Sequence, residues 1–143
     1  MNKLINPALN ELEFLEGDWD MELSNAAFLP DPTQKVNGDV SFDAIEDGAL
    51  LVMRQAGAAI WVIGRDEDQS EYKVLYFDDR KVSRVYNMSF DGKTWKMWRD
   101  APNFSQRFEG TVSDDRKTIH AYWEKSTDGK SWERDFDMLF TKR

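Results

Sequence analysis

Four arginines lie in phase with apolar residues on segments that alternate between apolar and polar side chains, so their guanidinium groups are predicted to face the protein interior. They are Arg54, Arg84, Arg99 and Arg134. An interior guanidinium needs a partner, because an unpaired charge is costly in a low-dielectric environment. A planar guanidinium binds carboxylates well through its paired N–H groups. The pattern therefore predicts that at least two of these arginines face one cavity and bind the anionic head of an apolar ligand.

Other residues in the same phase complete the predicted binding site. Gln106 lies in phase with Phe104 and Phe108, and Tyr86 and Trp123 also lie on apolar faces. For each arginine a second role stays open, in which it extends into solvent or pairs with a carboxylate of a neighbouring strand. For each aromatic residue the second role is simple core packing. A one-residue bulge would reverse any of these directions. The predicted ligand-binding residues are Arg54, Arg84, Tyr86, Arg99, Gln106, Trp123 and Arg134.

No pattern in the sequence favours catalysis or metal binding. His120, the one histidine, alternates with the apolar residues around it, so it is predicted to be an exposed strand residue and not a ligand of haem or of a metal. The paired carboxylates Asp78–Asp79 and Asp114–Asp115 fall in predicted turns, where aspartate is favoured for local hydrogen bonding. The sequence has no cysteine and no glycine-rich phosphate loop. We predict no catalytic residue, no metal site and no cofactor.

The composition favours a single soluble domain over residues 1–143. The chain carries 19 Lys and Arg against 27 Asp and Glu, and its net charge of −8 argues against nucleic acid or an anionic membrane surface as partner. No stretch approaches the roughly 18 apolar residues of a membrane span, so membrane insertion is not expected. The first seven residues lack the apolar run of a secretory signal. A cytoplasmic protein is the expectation that fits these features.

The local pattern changes at Gly17 from helical to alternating. Asn6–Pro7 is a favourable helix start, and Gly17 is a favourable end. From Gly17 onward about nine or ten short segments alternate with period two, separated by tight turns that include Asp-Gly pairs at 91–92 and 128–129. An all-β, up-and-down antiparallel barrel is predicted, because a long sheet closes to remove its edges. A sandwich is the alternative. The proline-containing segment Phe28–Gln34 is the predicted portal of the barrel.

The N-terminal helix is followed by a Gly-x-Trp motif at Gly17-Asp18-Trp19, and the last strand ends in the basic residues Lys142 and Arg143. In these features the chain resembles the calycin superfamily, which holds the lipocalins and the fatty-acid-binding proteins. From Phe77 to Phe108 it resembles more closely one bacterial lipocalin-like family of unknown function. The resemblance implies a barrel with an interior cavity, a basic residue packed over Trp19, and no established reaction. Gly17, Trp19 and Arg143 are accordingly predicted to be structural.

The function that fits these predictions is binding of a small apolar or amphipathic molecule, with a carboxylate as a possible head group, inside the barrel. The first alternative is an enzyme, an isomerase or hydrolase, that uses Tyr86, Arg84 or a buried acid in the same cavity. The second alternative is a filled barrel that acts through its surface, for example as a homodimer.

Overall fold

A computed structural model describes residues 6–143 of the chain. Residues 1–5, which belong to the segment predicted to lack a secretory signal, lie outside the described residues. The elements in chain order are a 3₁₀ helix Pro7–Leu15, β1 Gly17–Ser24, β2 Val36–Ile45, a 3₁₀ turn Glu46–Gly48, β3 Leu50–Gln55, β4 Ala59–Gly64, β5 Tyr72–Asp78, β6 Ser83–Phe90, β7 Thr94–Arg99, β8 Ser105–Val112, β9 Thr118–Ser126 and β10 Glu133–Lys142.

The ten strands form a closed antiparallel barrel in which each strand pairs with its neighbours in the chain. The last strand closes the ring by pairing with the first, with Trp19 opposite Lys142. The predicted up-and-down barrel with a short N-terminal helix is therefore confirmed, and the sandwich is excluded. In the described range 6–143, no helix is both long enough and apolar enough to cross a membrane.

The N-terminal helix is a nine-residue 3₁₀ helix that packs on the barrel. Asn6 caps it as predicted, since its side-chain oxygen accepts a hydrogen bond of 3.0 Å from the backbone N–H of Ala8. Leu9, Leu12 and Leu15 are at most 1% exposed. A 3₁₀ helix has three residues per turn, so residues spaced by three align on one face. The leucine spacing thus suits this helix type, which buries all three side chains in the barrel core.

Trp19 seals the closed end of the barrel beneath this helix. Its indole N–H donates to the backbone oxygen of Leu15 at 2.8 Å, and its ring is fully buried. The ammonium group of Lys142 lies 5.6 Å from the Trp19 ring and donates to the carbonyl of Phe14 at 2.6 Å. Lys142 therefore fills the role for which Arg143 was a candidate. The side chain of Arg143 is half-exposed and pairs with carboxylates on the barrel surface.

Gly17 links the helix to β1 with a φ of +122°, a backbone conformation that L side chains rarely adopt. Because glycine adopts this conformation without strain, Gly17 has the structural role predicted for it. Any other residue at this position would be strained at the point where the helix docks on the first strand.

Aromatic rings fill the closed half of the barrel. The ring of Trp95 contacts three others, with centroid distances of 4.7 Å to Phe108, 6.2 Å to Phe140 and 6.3 Å to Phe42. Trp19 continues this cluster through Phe42 at 6.4 Å. Edge-on contacts of this kind are favourable for aromatic pairs. The closed half is therefore a packed core of aromatic and aliphatic side chains.

The two Asp-Gly turns share one hydrogen-bonding pattern. In each, the aspartate side chain accepts from the backbone N–H groups two and three residues further on, Asp91 at 2.9 and 2.7 Å and Asp128 at 2.8 Å for both. Only the glycines, Gly92 and Gly129, have positive φ. These turns are therefore not of type I′, the geometry that Asp-Gly favours in hairpins, because type I′ needs positive φ at both central residues. Side-chain capping by aspartate sets these turns instead.

Candidate functional site

A cavity of about 560 Å³ opens at the end of the barrel opposite the N-terminal helix. Small-molecule sites have volumes of roughly 300–1,000 Å³, so the cavity is large enough for a small ligand. Strands β1–β3 contribute Met21, Leu23, Gly38, Asp39 and Gln55 to its wall. From β6 to β10 the wall combines the polar side chains of Arg84, Gln106 and Asp135 with apolar ones, including Trp123, Phe136 and Met138.

The floor of the cavity consists of four aromatic side chains. The indoles of Trp61 on β4 and Trp123 on β9 stack with centroids 5.9 Å apart and an interplanar angle of 29°. These strands lie five positions apart in the ten-strand ring, so the stack spans the interior from wall to wall. Tyr76 packs against Trp61 with ring centroids 4.4 Å apart, and Tyr86 packs against Trp61 at 5.4 Å and against Trp123 at 5.7 Å. The floor separates the open half of the barrel from the packed core and offers flat apolar faces.

Trp123 and Tyr86 therefore line the cavity, as the sequence predicted for both. Tyr86 is 2% exposed, and its hydroxyl donates to the side-chain oxygen of Gln106 at 2.6 Å. Burial raises the pKa of the Tyr86 phenol above its usual value, although nearby guanidinium groups oppose the shift. The phenol is consequently a hydrogen-bond donor at neutral pH.

An arc of polar side chains lies on the inward-facing positions of five consecutive strands, at the rim above this floor. Four members follow the alternation of their own strands from a buried residue nearer the closed end, and the fifth, on β10, is turned inward by a β-bulge. The arc consists of Arg84 on β6, Arg99 on β7, Gln106 on β8, Lys125 on β9 and Asp135 on β10. Three cations thus accompany one carboxylate in the arc. The residues that line the cavity itself carry two cations, Arg80 and Arg84, and two carboxylates, Asp39 and Asp135.

Arg84 lines the cavity as predicted and has only neutral partners there. One guanidinium nitrogen lies 3.4 Å from the side-chain oxygen of Gln106, a long hydrogen bond, and the group lies 5.1 Å from the centre of the Phe104 ring. Among residues 6–143, no carboxylate forms an ion pair with Arg84. Its hydrogen-bonding capacity is therefore mostly free for a ligand.

Arg99 follows the predicted inward phase but serves the protein backbone. Its guanidinium donates to the carbonyl oxygen of Phe104 at 2.7 Å, so it holds the loop between β7 and β8. Phe104 in turn lies under the guanidinium of Arg84. Arg99 thus positions the wall of the cavity, and it is not among the residues that line it.

The prediction that Arg54 faces the interior is wrong. Arg54 is exposed on the outer surface, where it pairs with Asp43 at 3.6 Å. Leu51, Met53 and Gln55 take the inward positions of β3. The sequence 50–53 is apolar at every position, so it does not indicate which face is inside.

The prediction that Arg134 faces the interior is also wrong, because a β-bulge reverses its direction. Arg134 pairs with Glu124 and Phe136 pairs with Trp123, so one residue of β10, Asp135, has no partner on β9. Arg134 consequently points outward, where it forms an ion pair with Asp137 at 2.6 Å. The bulge turns Asp135 into the cavity in its place.

Asp135 and Arg80 line the cavity and were not predicted. Asp135 is 9% exposed, and its carboxylate lies 3.7 Å from the ammonium group of Lys125. Arg80 binds the carboxylate of Asp78 at 2.6 Å, and that carboxylate also accepts from the Tyr76 hydroxyl at 2.7 Å. No sequence pattern indicates the bulge at Asp135, and Arg80 lies in a turn outside any alternation.

This cluster beside the rim fixes the protonation of its members. The Arg80 guanidinium and the Tyr76 hydroxyl hold the pKa of Asp78 well below its usual range. Burial and the hydrogen bond to Asp78 raise the pKa of Tyr76 to about 12. Arg80 is thus already paired with a carboxylate, which leaves Arg84 as the cation of the cavity without one.

The segment predicted as a portal lies at the mouth of the cavity. Phe28 lines the opening, is 60% exposed, and packs edge-on against Phe136 with ring centroids 5.7 Å apart. The remaining residues of Phe28–Gln34 are largely exposed. Ligand access through this segment stays a prediction.

His120 is exposed on the outer face of β9, as predicted. Within the described part of the chain, no group of three or more His, Cys, Asp or Glu side chains is arranged to hold a metal ion. The chain matches no protein-family model and no curated protein.

Proposed function

We propose that the barrel binds a small amphipathic anion, with the apolar part of the ligand on the aromatic floor and its carboxylate at Arg84. The observation that carries this proposal is the Arg84 guanidinium, which lines the cavity with neutral partners alone. A partly buried charge of this kind is costly to the free protein. A ligand carboxylate would supply the missing partner through two parallel N–H···O bonds.

The shape of the cavity supports a compact, flat ligand. The stacked indoles of Trp61 and Trp123 close the interior below the cavity, so a long acyl chain has no tunnel to follow. Their faces suit an aromatic ring, which gains from stacking as well as from burial. A small aromatic carboxylate is the ligand class that matches both the floor and the rim.

We also propose membership of the calycin superfamily. The 3₁₀ helix, the Gly17–Trp19 motif and the Lys142 ammonium group over the Trp19 ring support this assignment. The closed barrel is compatible with the ligand-binding role that the resemblance implies.

Binding can be tested by calorimetric titration of the protein with phenylpropanoate and with phenylpropanol, which replaces the carboxylate by a neutral hydroxyl. The carboxylate should bind and raise the melting temperature, because a ligand specific for the folded state stabilises it. Arg84→Met should weaken carboxylate binding by about tenfold or more, since a charged hydrogen bond is lost. The matched control is Arg54→Met on the outer surface, which should bind like the wild type. Equal affinity of Arg84→Met and wild type for the carboxylate would refute the proposal.

A second candidate is an enzyme that uses the same cavity, and the raised pKa values of Tyr76 and Tyr86 favour it. A phenol that stays protonated can stabilise a developing oxyanion. In the ligand-free barrel, however, Tyr76 donates to Asp78 and Tyr86 donates to Gln106. Hydrolysis of nitrophenyl esters that is lost in Tyr86→Phe with intact ligand binding would support this candidate. Equal rates in both proteins would exclude Tyr86 from a reaction.

A further inference from the structure

Asp135 places a carboxylate in the cavity that also holds the Arg84 guanidinium. The residue is 9% exposed and lines the cavity, because the bulge of β10 turns it inward. A buried carboxylate without hydrogen bonds is costly, so its environment indicates what it can bind.

Asp135 has one ionic neighbour and no hydrogen-bond donor within the range 6–143. Its oxygen lies 3.7 Å from the ammonium group of Lys125, beyond hydrogen-bond distance. Lys125 is shared, since it also lies 4.0 Å from the carboxylate of Glu133. The side chain of Asp135 is 12% exposed, so its acceptor sites remain accessible from the cavity. The carboxylate is therefore ready to accept hydrogen bonds from a ligand.

Arg84 and Asp135 lie on nearly opposite walls. Arg84 is on β6 and Asp135 is on β10, four positions apart in a closed ring of ten strands, where five positions are diametrically opposite. The stacked indoles of Trp61 and Trp123 lie at the floor of the same cavity. A ligand held on this floor with its anionic end at Arg84 directs its far end toward β10.

We propose that Asp135 binds a hydrogen-bond donor at the far end of the ligand, so that the ligand is a small aromatic carboxylate with a hydroxyl or amine group opposite its carboxylate. This inference rests on the proposed anion site at Arg84. Asp135 supplies acceptors only, so a ligand acceptor at that end would be repelled, and an apolar end would leave the carboxylate without a partner. The cavity thus selects for charge at one end and for a donor at the other.

The test is a calorimetric comparison of phenylpropanoate with its derivatives that carry a hydroxyl or an aminomethyl group at the meta or para position. Wild-type protein should bind the best donor-bearing derivative about tenfold more tightly than phenylpropanoate, because a hydrogen bond to a charged acceptor is gained. Asp135→Asn keeps the size of the side chain and one acceptor oxygen but removes the charge, so it should reduce this preference, most of all for the amine, and should not weaken the binding of phenylpropanoate. Lys125→Gln should increase the preference for the aminomethyl derivative over phenylpropanoate, because it removes the ammonium group that competes with the ligand amine for Asp135.

The outcomes separate the two proposals. If phenylpropanoate binds but no derivative binds better, or if Asp135→Asn keeps the preference, the role of Asp135 is refuted and the Arg84 site stands. If no compound binds the wild type, the anion site fails and the inference fails with it. Melting curves establish that Asp135→Asn is folded. If Asp135→Asn is unfolded, the test rests on Lys125→Gln, which should increase the preference for the amine. An unchanged preference in Lys125→Gln would refute the inference.

Discussion

Replacement of Arg84 by methionine should make the ligand-free protein more stable while it weakens ligand binding. Arg84 is partly buried, and its contacts are one hydrogen bond of 3.4 Å to Gln106 and the face of the Phe104 ring at 5.1 Å. Gln106 keeps its short bond of 2.6 Å from Tyr86 when the guanidinium is removed. No buried polar group therefore loses its last partner, which is the usual source of a large penalty.

The expected change in the free energy of unfolding follows from these contacts. The long hydrogen bond contributes about 0.5 kcal/mol, and the contact with the Phe104 ring contributes about 0.5 kcal/mol. Removing a partly buried charge from the folded state regains about 2 kcal/mol, a fraction of the desolvation cost of a fully buried ion. Methionine retains the apolar packing. The free energy of unfolding should rise by about 1 kcal/mol, which corresponds to an increase of about 3 °C in melting temperature.

Thermal and urea unfolding of the ligand-free proteins measure this effect. Arg99→Met is the matched control, because Arg99 donates to the carbonyl of Phe104 at 2.7 Å and its loss leaves that oxygen without the bond. Loss of a hydrogen bond from a charged donor costs about 1.5 kcal/mol of stability. Arg99→Met should therefore lower the melting temperature by about 4 °C. A fall in melting temperature for Arg84→Met as large as that for Arg99→Met would show that the protein itself satisfies Arg84. The proposed role of Arg84 in binding a ligand would then be refuted.

Three further results are expected. Lys142→Met should lower the free energy of unfolding by about 2 kcal/mol. Arg143→Met should change it by less than about 1 kcal/mol. Equal effects of the two substitutions in urea unfolding would contradict the conclusion that Lys142 is the basic residue that packs over Trp19. Tyr76 has a pKa raised from 10.0 to about 12, so its contribution to stability is complete below pH 10 and is lost as the pH rises through about 12. The stability gap between wild type and Tyr76→Phe should therefore narrow over that interval, and a constant gap would contradict the assignment. Exposed apolar side chains on the outer face of β4–β6 could hold a homodimer together. Leu75→Lys or Val85→Lys should then convert the dimer to monomers in light scattering. A wild-type protein that is only monomeric would rule out this dimer.

The strands and the inward residues of the regular segments could be predicted from the sequence. Arg84, Tyr86 and Gln106 lie on segments with strict alternation, and each occupies the predicted face. Alternation is a direct consequence of strand geometry, so it holds wherever pairing is regular. The direction of Arg54 could not be predicted, because β3 begins with four apolar residues and offers no polar face as a reference.

The positions of several charged side chains depend on features that one sequence does not reveal. The bulge in β10 comes from its pairing with β9, so no local signal near Arg134 or Asp135 indicates it. The role of Lys142 over Trp19, in place of Arg143, depends on a register set by barrel closure. Arg80 lines the cavity from a turn, where alternation carries no information. Long-range pairing decided each of these positions.

The bulge also suggests how such a barrel could change its ligand during evolution. Arg134 and Asp135 are adjacent and have opposite charges, and the register of β10 alone decides which of them enters the cavity. Loss of one residue from the loop between β9 and β10 would let the strand shift, placing Arg134 opposite Lys125 on the inner face and Asp135 on the outer face. A single-codon deletion would then exchange an acceptor for a donor in the cavity wall with every neighbouring side chain unchanged. In this protein, the length of a loop therefore determines which charge the cavity wall carries.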